Sequence, residues 1–267
     1  MHGVSMFRIG LSSSAFLAST PEDVLARAKS LGFEGIEWAG APHLGAGDIE
    51  AAKRVMLATL RSGLTVVSYS PLYRLAPGGG KGISFEAILG SAREIYAPVI
   101  RIYAGEAQKG QRGDRAAFID ELRRRGDEAG RHGITIALSP NPRSLMPGLR
   151  ESVSFVEEAA HPFIRLVWEP IPADPAGFDL SALEAQPELF AILRPRAVAA
   201  DGSIVALESA ASYWTRIITA FSAKPGPRDI GRFVLLGGIG DCRDETLSAD
   251  IAFARRAASV PEAIDRG

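Results

Sequence analysis

The chain has 267 residues, 46% hydrophobic and 23% charged, with a formal net charge of −1 from 30 Lys and Arg against 31 Asp and Glu. That length and apolar fraction suit one globular domain with a sizeable core, and the even charge excludes the basic footprint that nucleic acid or an anionic membrane surface demands. The single cysteine, Cys242, excludes an internal disulfide.

Residues 1–11 carry no basic region followed by a long apolar core, and no run is long enough to span a bilayer. The expected location is therefore the cytoplasm, with no membrane and no nucleic acid as partner. A short extension over residues 1–5 leads into the pattern, and a frayed tail is expected over about 260–267.

From there the chain alternates short β-rich runs with amphipathic stretches. Strands are predicted at Phe7–Leu11, Gly35–Trp38, Thr65–Ser70, Val99–Tyr103, Thr135–Ser139, Ile164–Glu169, Arg196–Ala200 and Arg232–Leu236. Most are nearly all apolar, as parallel strands covered on both faces must be. Thr20 is the expected N-cap of the first helix, with Pro21 at its first position and Val24, Leu25, Ala28 and Leu31 on one face. Phe85, Ile88, Leu89, Ala92 and Ile95 repeat that spacing in the third helix. Gly32-Phe33, Gly63-Leu64 and Gly133-Ile134 end helices on a left-handed glycine and lead into strands. Eight strands and eight helical stretches of this kind predict an α/β fold, a single (β/α)8 TIM barrel over residues 1–267.

In such a barrel the loops after the strands build the site. The polar residues at strand ends are Ser12–Ser14, Glu37 with Trp38, His43, Tyr69, Tyr73 with Arg74, Arg101 with Tyr103, Ser139 with Asn141 and Arg143, Glu169, and Asp201. Glu37 and Glu169 stand out, because a carboxylate ending an apolar strand is costly to bury unless paired or hydrogen-bonded. Each is read either as a partner for Arg101 or a neighbouring loop, or as a general base. His43 is a solvent-facing loop residue or a polar helper at the site. Tyr69, Tyr73 and Tyr103 can stack on a sugar ring or simply pack. Pro71–Gly82, with four glycines and two prolines, reads as an irregular lid anchored by Tyr73. Its Gly78–Gly82 run lacks the spacing of a P-loop. Gly237–Gly240 follows the last strand, where barrels often bind phosphate.

The segments Gly35-Ile36-Glu37-Trp38 through His43, Tyr73-Arg74-Leu75, Ile100-Arg101-Ile102-Tyr103-Ala104-Gly105 and Trp168-Glu169-Pro170 resemble the xylose isomerase-like barrels of the sugar phosphate isomerase/epimerase family. The resemblance runs from Phe7 to about Ala258. It implies a divalent metal held by a Glu, an Asp, a His and a Glu from the fifth to eighth strands, polarising the sugar carbonyl while carboxylates move the proton. Carried onto this chain, the fifth-strand glutamate falls on Ser139, and the histidine two residues on falls on Asn141. The sixth-strand acid falls on Glu169, the seventh-strand histidine near Val198 with Asp201 just beyond, and the eighth-strand glutamate on Gly237. Such a set predicts no metal ligands and no cofactor, beyond weak divalent binding at Glu169 and Asp201.

The resulting expectation is a sugar isomerase or epimerase, with Glu169 and Glu37 as proton carriers and His43 as helper. Trp38, Tyr73, Arg101, Tyr103, Asn141 and Asp201 would contact a sugar or polyol. The alternative is a catalytically inactive member that binds a carbohydrate or serves as an assembly partner. A homo-oligomer is compatible with either.

Overall fold

A computed structural model describes residues 7–78, 82–105, 115–140, 144–169, 186–222, 232–238 and 243–259. Eight parallel strands close a barrel: β1 (Arg8–Ser12), β2 (Gly35–Ala39), β3 (Thr65–Ser70), β4 (Val99–Tyr103), β5 (Thr135–Ser139), β6 (Ile164–Trp168), β7 (Phe190–Leu193) and β10 (Phe233–Leu236). A two-stranded antiparallel hairpin, β8 (Ala197–Val198) and β9 (Ile204–Val205), stands outside the barrel. The α-helices among the described residues are α1 (Pro21–Leu31), α2 (Ile49–Ser62), α3 (Phe85–Glu94), α4 (Arg115–Gly130), α5 (Leu149–Ala159), α6 (Ala211–Ser222) and α7 (Asp244–Ala258). None of them is long and apolar enough to cross a membrane.

The helix signals act as their chemistry requires. Thr20 caps α1 by accepting the Asp23 N–H at 3.2 Å, and Gly32 closes it in the left-handed conformation at φ 83°. Alternation along the strands divides the core in two. Ile36, Trp38, Ile100, Ile136 and Leu166 face the helices and join the large outer core. Val67, Val99, Ala137, Val167, Phe233 and Leu235 fill the barrel interior. The interior is narrow where β1 meets its neighbours. A Cβ on Gly10 would stand 2.7 Å from Leu235 Cδ2, and one on Gly35 2.6 Å from Val67 Cγ2.

One predicted strand is corrected. The seventh barrel strand is Phe190–Leu193, not Arg196–Ala200. Phe190 pairs with Leu166 and Leu193 with Trp168, and β10 closes on Ile192 and Leu193 from the other side. Two β-prone runs flank Arg194-Pro195, and the more apolar one is buried. The second becomes the hairpin, turned at Gly202 (φ 84°). Asp201 therefore sits exposed at a hairpin tip rather than at a strand end, and its Oδ1 accepts from Ser203 N (2.9 Å) and Oγ (2.6 Å).

Candidate active site

A cavity of about 210 Å³ opens at the C-terminal mouth of the barrel, lined by Ser70, Leu72, Arg101, Tyr103, Glu169 and Arg194 among others. Its floor is an ion cluster around Glu37, which is fully buried. Arg101 grips this carboxylate with both prongs of its guanidinium, Nε to Oε2 at 2.9 Å and Nη2 to Oε1 at 3.0 Å. Arg194 donates from Nη1 to Oε1 at 2.7 Å. The Ser12 and Ser68 hydroxyls donate to Oε1 and Oε2, each at 2.8 Å. Burial pushes the Glu37 carboxyl up, but Arg101 and then Arg194 more than offset it and hold the group down at about 2. Burial likewise works against the Arg101 charge, and the Glu37 carboxylate overrides it, raising that group above its usual range. Arg101 Nη1 donates to Tyr103 Oη at 2.7 Å and reaches Ser139 Oγ at 3.5 Å, so this guanidinium is fully used.

Glu169, one residue past β6, is placed differently. Its side chain keeps 36% of its exposure, and among the described residues it makes a loose 3.7 Å approach to Arg194 Nε. Arg194 comes from the residue after β7, where its N–H donates to Trp168 O at 2.8 Å and extends the ladder by one step. Besides Glu37, this guanidinium bonds the Gly237 carbonyl, through Nη2 at 3.1 Å, and among the described residues Nε has no hydrogen-bond partner. The buried Ser70 hydroxyl in the cavity wall also has no hydrogen-bond partner. Gly237, at φ 83°, turns the chain at the end of β10, and a Cβ there would meet Leu11 Cδ1 at 3.1 Å and Ala15 Cβ at 3.2 Å.

Arg101, Tyr103 and Glu169 thus line one cavity, and Glu37 lies beneath it. The other predicted site residues go elsewhere. Trp38 follows Glu37 on the same strand and so faces the opposite side, where its Nε1–H donates to Thr59 Oγ1 of α2 at 3.2 Å. His43 is buried rather than solvent-facing. Its Nε2 lies 3.2 Å from Phe16 O and 3.1 Å from Ser19 O, so Nε2 carries the proton and Nδ1 accepts from Ser13 Oγ at 3.0 Å. The imidazole ties two loops together and does not border the cavity. Tyr73 is buried against the Phe85 ring, 5.6 Å between centroids, and its carbonyl accepts the Tyr103 N–H at 2.9 Å. Around it the described part of Pro71–Gly82 is irregular, and Leu72 reaches the cavity from φ 61° with 54% exposure. Asp201 does not reach the cavity. Asn141, Arg143 and residues 239–240 lie outside the described residues.

Sequence reasoning missed Arg194, Ser68 and Ser70. The signal for Arg194 was present, since Phe190-Ala191-Ile192-Leu193 is an apolar run that ends at a charge, as Ile164–Trp168 does.

The ends of β5, β6, β7 and β10 therefore carry Ser139, Glu169, Arg194 and Gly237. Among the described residues, no three of His, Cys, Asp and Glu converge to hold a metal ion. A guanidinium stands where a ligand would be needed, and this donor set does not fit a divalent cation.

No family model matches the chain, and no curated protein matches it in sequence. Solved structures do match in fold. The probable 3-DHS dehydratase AsbF from Bacillus anthracis is 19% identical over 92% of this chain and 98% of its own, with a TM-score of 0.70. The 3-keto-D-glucoside 4-epimerase YcjR from E. coli is 18% identical over 94% and 99%, with a TM-score of 0.70. The IOLI protein, solved with a bound zinc atom, is 12% identical over 95% and 98%, with a TM-score of 0.69. The chain shares the (β/α)8 barrel fold of these proteins.

Proposed function

We propose that the protein is a sugar or polyol isomerase or epimerase that works without the divalent metal of its fold relatives. The observation that carries this is Glu169, a half-open carboxylate at the mouth, 3.7 Å from an arginine whose Nε has no hydrogen bond. The dehydratase and epimerases that share the fold act on carbonyl-bearing or hydroxylated compounds by name, which supports the substrate class.

Glu169 removes a proton from the carbon beside a substrate carbonyl; the C–H pair becomes the new C=C bond and the carbonyl π pair moves onto the oxygen to give an enediolate. The negative charge passes from Glu169 to that oxygen, and Arg194 faces both positions. The guanidinium takes the electrophilic part that a metal plays elsewhere. In an isomerase Glu169 then delivers the proton to the former carbonyl carbon while the adjacent hydroxyl proton passes to the oxyanion; in an epimerase the same carbon is reprotonated on its opposite face by water in the cavity, and Glu169 gives its proton up to solvent. Glu37 cannot share this work. Held at about 2 with each oxygen already accepting two or more bonds, it positions Arg101 and Arg194.

The test is proton NMR in D2O with a panel of aldoses, ketoses and sugar acids, using chelator-treated protein. Deuterium should enter beside the carbonyl of one panel member. Glu169→Gln should slow that exchange about 10²–10⁴-fold. Exchange that appears only after a divalent metal is added overturns the reading. Binding of a panel member with no exchange at all supports the inactive, carbohydrate-binding alternative instead.

A further inference from the structure

Resting on the same site, we propose that the substrate is a monoanionic sugar acid whose carboxylate docks on the side-on fork of Arg194, formed by Nε and Nη2. Both cavity arginines are buried, Arg101 to 2% and Arg194 to 6% exposure, yet their forks differ. Arg101 has the same two nitrogens closed on Glu37. On Arg194, Nη1 takes the Glu37 carboxylate, Nη2 takes one carbonyl at 3.1 Å, and Nε has no hydrogen bond. An arginine fork of this kind matches a planar carboxylate with two parallel charge-assisted bonds.

The surroundings keep the fork open. The adjoining Gly238 has no side chain, and a Cβ placed there would stand 3.9 Å from Arg194 Nη2. Arg196, exposed on the cavity rim, makes no ion pair with a described residue and adds a second cation to that wall. The unpartnered Ser70 hydroxyl is available to a substrate hydroxyl. Glu169 at 3.7 Å selects the kind of anion. A phosphate dianion would place two charges against that carboxylate, whereas a carboxylate places one. The docked carboxylate is then itself the carbonyl group that Arg194 polarises in the proposed chemistry, and the carbon next to it carries the proton that Glu169 removes.

Titration calorimetry under non-turnover conditions tests this with D-gluconate and D-glucuronate against D-glucitol, D-glucose and D-glucose 6-phosphate. A sugar acid should bind at least about tenfold tighter than its neutral counterpart. The margin should shrink when NaCl rises from about 0.05 to about 0.5 M. Gly238→Val, which sets a side chain against Arg194 Nη2, should abolish the margin, and an unchanged melting temperature would report that the Nη1 bond to Glu37 is kept. Arg194→Lys should abolish it too, and if that protein fails to fold, Gly238→Val decides. Equal affinity for acid and neutral sugar, tighter binding of the phosphate ester, or a margin that survives Gly238→Val overturns the proposal. The margin should persist in Glu169→Gln, which separates the two readings. A margin without deuterium exchange removes the isomerase reading and leaves this one, and exchange on neutral sugars without a margin does the reverse.

Discussion

Glu37 in β2 and Glu169 just past β6 both face the axis of the barrel at its C-terminal end, and the chain treats them in opposite ways. Around Glu37 both carboxylate oxygens are fully engaged. Two arginines and two serines from four other strand regions close on it, and the nearby loops are locked by His43 and Ser13. Around Glu169 the polar atoms are left over: a loose ion pair, an Arg194 Nε without a hydrogen bond, and a Ser70 hydroxyl without one. A closed cluster of buried charges sets geometry, because removing any member leaves another charge uncompensated. An open one can exchange partners with a ligand at little cost. The lesson is that two glutamates with the same place in the strand pattern divide the work, one positioning and one reacting.

The largest effect should come from breaking the closed side. Glu37→Ala leaves Arg101 and Arg194 buried without their shared carboxylate, and should cost about 3–5 kcal/mol in urea unfolding. The same cluster should show in acid. Its folded-state carboxyl lies at about 2, below the ordinary 4.5, so its stabilisation is complete above pH 4.5 and is lost as pH falls through 2. The loss should be about 3 kcal/mol over that window, absent from Glu37→Gln. Equal acid curves for the two proteins would mean that the cluster is not the acid-labile element.

His43→Ala comes next. It removes the imidazole's bonds to Ser13 Oγ and to the Phe16 and Ser19 carbonyls, and should cost about 1–3 kcal/mol with deuterium exchange rates unchanged. A loss of exchange in a still-folded His43→Ala protein would move that residue to the reacting side.

Asp250 on α7 is intermediate between the two regions. It borders the cavity, and its Oδ1 accepts the Leu207 N–H at 2.7 Å. Burial pushes its carboxyl up to about 6 against that bond. A folded value above the ordinary 3.8 means that the native state holds the proton more tightly than the unfolded chain, so stability is greatest below pH 3.8 and falls as pH rises through 6. Asp250→Asn keeps the acceptor and removes the charge. It should raise stability by about 2 kcal/mol at pH 8 and leave it nearly unchanged at pH 3.5.

The fold was legible because its signals are local. Apolar runs, the Thr20 cap and helix-ending glycines each read within a few residues, and of the predicted strands the seventh, beside a competing run, was misplaced. The site was half legible. Glu37, Arg101, Tyr103 and Glu169 stood out as polar residues ending apolar strands. Their partners did not, because Ser12, Ser68, Arg101 and Arg194 meet Glu37 across separations of 25, 31, 64 and 157 residues. Strand parity allows only one of Glu37 and Trp38 to face the axis. Which one does depends on the arginines waiting inside and on Thr59 waiting outside, and neither is written near residue 38.

The smallest stability effect should belong to the residue that matters most to the chemistry. Glu169 has a side chain 36% exposed, so its charge is largely hydrated, and its pairing with Arg194 is too long for a hydrogen bond. Surface-like ion pairs of that kind contribute little. Replacing it by Gln keeps the shape and leaves Arg194 still compensated by Glu37 at 2.7 Å. Glu169→Gln should therefore unfold within about 0.5 kcal/mol of the parent in urea, while Glu37→Gln, with nearly the same change of atoms, should not. A large loss in Glu169→Gln would place Glu169 in the closed cluster. The mouth would then hold two positioning carboxylates and no base, and proton transfer would have to be sought in another group.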